Sequence, residues 1–169
     1  MSEVLAALVG ALAGFGGAVV VEFIRESRQH RADLAILDAE LEALERVIDA
    51  LIAAVGKADQ SPWGRKFEGH GLVEQLHAFL RSGTLVDRRW LHAIEDREAR
   101  RTILGFYTGA VETHDRLDQH AAIPSWSYLT EENKQAEFRD LLEKLAAVKE
   151  SCANSLEAVR VAETALPTM

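Results

Sequence analysis

The run VLAALVGALAGFGGAVVV, Val4 to Val21, contains eighteen residues with no charge and no proline. Continued to Ile24 as a helix, it measures about 31 Å at 1.5 Å per residue, close to a bilayer core of about 30 Å. An N-terminal transmembrane helix is therefore the expectation. A cleaved signal peptide would need a positive n-region, and Met1-Ser2-Glu3 offers only the terminal amine. Ala11-Leu12-Ala13 has the small residues of a cleavage site, but the apolar run continues well past it. A buried core helix is the other alternative, because the run is rich in Ala and Gly and only modestly hydrophobic.

Those small residues are segregated. At 100° per residue, Ala6, Gly10, Gly14, Gly17 and Ala18 fall on one arc, and Leu5, Leu8, Leu12, Phe15 and Val19 on the other. Gly10-Ala-Leu-Ala-Gly14 is a GxxxG spacing. A flat face of this kind lets helix backbones approach closely, where van der Waals contact drives association in lipid. Ala6, Gly10, Gly14, Gly17 and Ala18 are the candidate oligomerisation residues, and a homo-oligomer is expected. Glu22 follows at the edge of this face, at the level of the membrane interface. Arg25, Arg28 and Arg31 come next, opposed only by Glu26, while the N-terminal flank has no Lys or Arg. The positive-inside rule then places the N-terminus outside and residues 25 onward in the cytoplasm, at an inner membrane, with the arginines near anionic headgroups. Glu22, Arg25, Arg28 and Arg31 are the candidate membrane-interface residues.

Beyond the anchor the apolar period becomes a heptad. Leu34, Leu37, Leu41, Leu44, Ile48, Leu51 and Val55 are spaced alternately by three and four. This is either a coiled-coil-like seam or the core stripe of an ordinary bundle helix. Gly56 opens a breaker-rich stretch through Ser61-Pro62-Trp63-Gly64 and Gly69-His70-Gly71. A short helix follows, with Leu72, Leu76, Phe79 and Leu80 on one face, stopped at Ser82-Gly83. Asp87 is expected to cap a short helix holding Trp90, Leu91 and Ile94. Asp96 is expected to cap the next, which runs to about Gln119 with Ile103, Phe106, Tyr107, Ala110, Val111, His114 and Leu117 inward. Thr130 caps a long final helix whose stripe is Phe138, Leu141, Leu142, Leu145, Val148, Cys152, Leu156 and Val159. The fold class is all-α: a transmembrane helix (residues 1–24), a coiled-coil-like juxtamembrane helix (25–58) and the remainder of a cytosolic helical bundle (59–169).

Chemistry is sparse. The net charge of −8 argues against a globally basic nucleic-acid binder. One cysteine, Cys152, forms no intramolecular disulfide and supplies no Cys-rich zinc site; on an apolar stripe it reads as a small buried hydrophobe. None of the six histidines lies three or four residues from another, and His114 with Asp118 lacks a third metal ligand. No nucleophile signature or phosphate loop is present. No catalytic, cofactor or metal site is expected, and the chain reads as a non-enzyme. An Arg-x4-His spacing occurs twice, as Arg25…His30 and Arg65…His70, and resembles the motif of the HEPN ribonucleases. Glu26 and Lys66 replace the usual polar residue after the Arg, and the second copy spans a glycine-containing loop, so no ribonuclease activity is carried over.

With its Gly10/Gly14 span, Arg25–Arg31 cluster and Trp90…Phe106-Tyr107 region, the chain loosely resembles small bacterial single-pass membrane proteins. Some of these are accessory proteins of antiphage defence. The resemblance implies a membrane-anchored interaction or scaffold protein with membrane lipids, its own copies and a cytosolic protein as partners. It leaves two alternatives open: an oligomeric pore-forming or membrane-disrupting effector, and a periplasmic spanin-like lysis protein.

Overall fold

A computed structural model describes the backbone of residues 2–60, 69–122 and 130–166; side chains at 2–18, 59–60, 82, 84, 86, 120–122, 131 and 134 are outside the description. Every regular element among the described residues is helical: α1 (Ser2–Gln60), α2 (His70–Ser82), α3 (Thr84–Asp87), α4 (Trp90–Ala93), α5 (Arg97–Ala122) and α6 (Glu131–Ala165). The all-α bundle expectation therefore holds. Among the described residues no helix is long and apolar enough to cross a membrane. The run 4–21 falls mostly on side chains outside the description, so that statement does not reach it.

The heptad positions of α1 have a clear destination. Leu34, Leu37, Leu41, Leu44, Ile48, Leu51 and Val55 are each 0% exposed. They pack in one core with the stripes of α2, α5 and α6, so the seam is filled by the chain's own helices, as in an ordinary bundle. Each buried Leu or Ile contributes about 1.5–3 kcal/mol of transfer free energy, which makes this stripe the main source of cohesion.

Side-chain pairs give the register. Arg31 Nη2 donates to the Leu166 carbonyl at 3.2 Å. Arg160 reaches Asp38 at 2.9 Å and Glu42 at 2.7 Å, and Lys149 meets Asp49 at 2.6 Å. Low numbers on α6 thus meet high numbers on α1, and the two helices are antiparallel. Arg116 on α5 pairs with Asp140 on α6 at 2.9 Å, and Tyr107 Oη donates to the Leu80 carbonyl of α2 at 3.0 Å. Such exposed ion pairs add little stability but select one alignment of the stripes. α6 lies between α1 and α5, and α2 bridges α1 and α5 on the other side.

The local expectations fare unevenly. Asp96 caps α5, accepting from the Glu98 and Ala99 amides at 3.1 Å each. Thr130 caps α6, accepting from the Asn133 amide at 3.3 Å. Asp87 caps nothing: it ends the single turn α3, pairs with Arg89 at 2.7 Å, and α4 starts without a side-chain cap. The direction change is made instead by Arg88, whose φ of 56° is left-handed. α1 does not stop at Gly56 but runs to Gln60, because Val55 and Ala58 on either side of the glycine are buried. α5 extends to Ala122, a little past Gln119. Gly83 does end α2, but for space: a Cβ there would sit 2.8 Å from the Phe79 carbonyl oxygen and 3.2 Å from a Glu40 carboxylate oxygen. The loop residues 61–68 and 123–129, and Pro167, lie outside the described residues.

Candidate functional site

The sequence-predicted interface residues lie along α1. Glu22, Arg25 and Arg28 are exposed, and Arg31 is half-buried with its guanidinium on the α6 terminus. Around them the surface is apolar: Val19, Val20, Val21 and Phe23 are 53%, 57%, 65% and 56% exposed. The backbone at Ala6, Gly10, Gly14, Gly17 and Ala18 is helical, continuous with this segment. Their side-chain environment lies outside the described residues, so the packing-face expectation is carried by sequence alone.

Two further features emerge only from the folded chain. One is a groove of about 640 Å³ between the first turns of α5 and the last turns of α6. Its floor is made of small side chains, Ala93, Ala99, Ala158, Ala162 and Ala165, beside Val161 at 61% exposure. Its rim carries Glu95, Asp96, Glu98 and Glu157, with no Lys or Arg among the described lining residues. Small residues from two antiparallel helices leave room for bulky side chains of a visitor, and the carboxylates favour a cationic one. On the other flank of the same α5 turn, Arg97, Arg100 and Arg101 line a more open groove. The two flanks of the turn therefore differ in charge.

The second feature is a chain of three polar side chains joining α2 to α5. His77 Nδ1 lies 3.1 Å from His114 Nε2, with ring centroids 4.8 Å apart and planes tilted by 43°. His114 Nδ1 lies 3.3 Å from Asp115 Oδ1. The His114 side chain is 10% exposed and that of Asp115 68%. When the carboxylate accepts from Nδ1–H of His114, Nε2 of that ring is a lone pair facing His77 Nδ1, which then supplies the hydrogen of the contact.

The sequence placed His114 on the inward stripe of α5 but left His77 unassigned. The signal was there: His77 continues the row of buried Val73 at i+4 on α2. Sequence spacing compares histidines within one helix, and this pair forms between two. Asp118, one turn beyond His114, is exposed. Of the Arg-x4-His residues, His30 lies 4.0 Å from Glu26 on α1, His70 is exposed at the start of α2, and Arg65 is outside the described residues.

Cys152 is 0% exposed, and its thiol lies 3.5 Å from the Leu41 carbonyl oxygen. Burial, and secondarily the Glu45 charge, push its pKa up to about 12. A thiol held protonated in an apolar core is a poor nucleophile, in line with its reading as a packing residue.

No family model, curated protein or solved structure matches this chain.

Proposed function

We propose that this chain is a membrane-anchored interaction protein: residues 4–24 enter a lipid bilayer and self-associate through Ala6, Gly10, Gly14, Gly17 and Ala18, and the bundle offers a docking surface to a protein partner. The observation that carries the reading is the change along α1. From Leu34 onward its apolar stripe is buried by the other helices, whereas Val19, Val20, Val21 and Phe23 each expose more than half their surface. Four large apolar side chains in one turn and a half of helix need an apolar medium or partner. The juxtamembrane arginines support cytoplasmic placement of the bundle. The groove between α5 and α6 is the docking surface, and its acidic rim suits a basic amphipathic helix of the partner.

Fractionation of cells after alkaline carbonate washing tests the anchor: the chain should remain with the membranes, and release into the wash would overturn the reading. The mass of the detergent-extracted protein tests self-association. Wild type should be oligomeric and Gly10→Leu/Gly14→Leu should shift toward monomer. An unchanged monomer in both would remove the packing face, and a discrete ring-sized assembly would move the reading to a pore.

A further inference from the structure

The geometry points to a site for a divalent transition-metal ion, of the Zn²⁺ or Cu²⁺ class, held between His77 of α2 and His114 of α5. Two imidazole nitrogens on one tetrahedral zinc, each at 2.0–2.1 Å, stand about 3.3 Å apart. The facing nitrogens here are 3.1 Å apart and need move only slightly to admit an ion. The ring centroids are 4.8 Å apart and the planes are tilted by 43°, so the rings are not stacked on one another.

The supporting partner is also present. Metal-bound histidines usually pass their second nitrogen's hydrogen to a carboxylate, which fixes the tautomer and strengthens the donor. Asp115 Oδ1 stands 3.3 Å from His114 Nδ1, in place to accept its hydrogen, and in that tautomer Nε2 is a lone pair facing His77. His77 presents a second lone pair once its hydrogen moves from Nδ1 to Nε2. That is a change of tautomer through solvent, with no net proton released and no redox step. Among the described residues no third His, Cys, Asp or Glu joins the pair, so water completes the coordination. Imidazole donors select Zn²⁺, Cu²⁺ or Ni²⁺ over the oxygen-seeking Mg²⁺ and Ca²⁺. The bound ion links two helices that are otherwise tied across their edge by the Tyr107–Leu80 hydrogen bond, clipping α2 onto α5. This site is independent of how the chain meets a membrane.

Calorimetric titration of the full-length, tag-free, detergent-extracted chain with Zn²⁺ should show saturable binding of one ion per chain, with Mg²⁺ giving none. Cu²⁺ added at one equivalent should give the electron paramagnetic resonance hyperfine pattern of two imidazole nitrogens. His77→Ala and His114→Ala should each weaken Zn²⁺ binding at least tenfold, and Asp115→Asn about tenfold, the usual effect of losing an outer partner. A variant lacking His30, His70 and His92 should bind as wild type does. If His114→Ala does not fold, His77→Gln and Asp115→Asn decide the matter, since both positions reach solvent. Absence of one-to-one binding in wild type, or equal affinity in wild type and His77→Gln, would overturn the site.

Discussion

Trp90 is fully buried, yet its indole N–H finds no acceptor among the described residues. A buried donor left unpaired costs about 1–3 kcal/mol, and here the ring's packing against α1 outweighs that cost. The two contributions can be separated. Trp90→Ala should destabilise the chain by about 3–5 kcal/mol, as large aromatic truncations do. Trp90→Phe keeps most of the ring, discards the unpaired donor, and should lie within about 1.5 kcal/mol of wild type in denaturant melts. Cys152 supplies a pH test. Its thiol ionises near 9.0 when free of the fold and near 12 within it. Between those values the unfolded chain has lost a proton that the folded chain keeps. Stability should therefore be insensitive to this group below about pH 9 and fall as pH rises above it. Cys152→Ala or Cys152→Ser should flatten that alkaline loss, measured as the difference in melting between pH 8 and pH 10.5.

Gly56 shows why the helices were easier to recognise than their ends. Taken alone, a glycine before a loop-rich segment reads as a terminator; in the bundle, Val55 and Ala58 are buried and hold α1 helical through it. Tertiary burial outweighed a propensity difference of about 1 kcal/mol. A Cβ at Gly56 would meet nothing within 4 Å. Gly56→Ala should therefore stabilise the protein by about 0.5–1 kcal/mol, read as a higher melting temperature; a loss would mean that α1 is not helical there. The stripes of α1, α5 and α6 were legible because burial repeats with the helical period, and Asp96 and Thr130 because a cap is a local event. The α3–α4 turn was not. Its decisive residue is Arg88, a residue type with no preference for the left-handed region, held there by the packing of Leu85 and Trp90 on either side. The His77–His114 contact was hidden for a related reason, since it depends on the alignment of two helices that sequence spacing does not encode.

The described helices bury their stripes and leave an acid-rimmed groove of small side chains at the α5–α6 end. Partner capture can be tested there without disturbing the core. Ala158 and Ala162 are only partly covered, so Ala162→Trp should fill the groove, leave the melting temperature within a few degrees of wild type, and abolish pull-down of a basic amphipathic partner helix. Equal capture by the variant would move the docking surface elsewhere. α1 also belongs to both ends of the molecule. Its 59 residues form one helix, about 88 Å long at 1.5 Å per residue. With no joint between Val19 and Ala58, the apolar turn near its start and the core wall near its end are parts of one lever. A 10° tilt at one end carries the other through about 15 Å, and a rotation about its axis turns every core contact by the same angle. Whatever sets the orientation of the first turns thereby orients the bundle that packs on the same rod from Leu34 onward, with no messenger between them other than the stiffness of the rod.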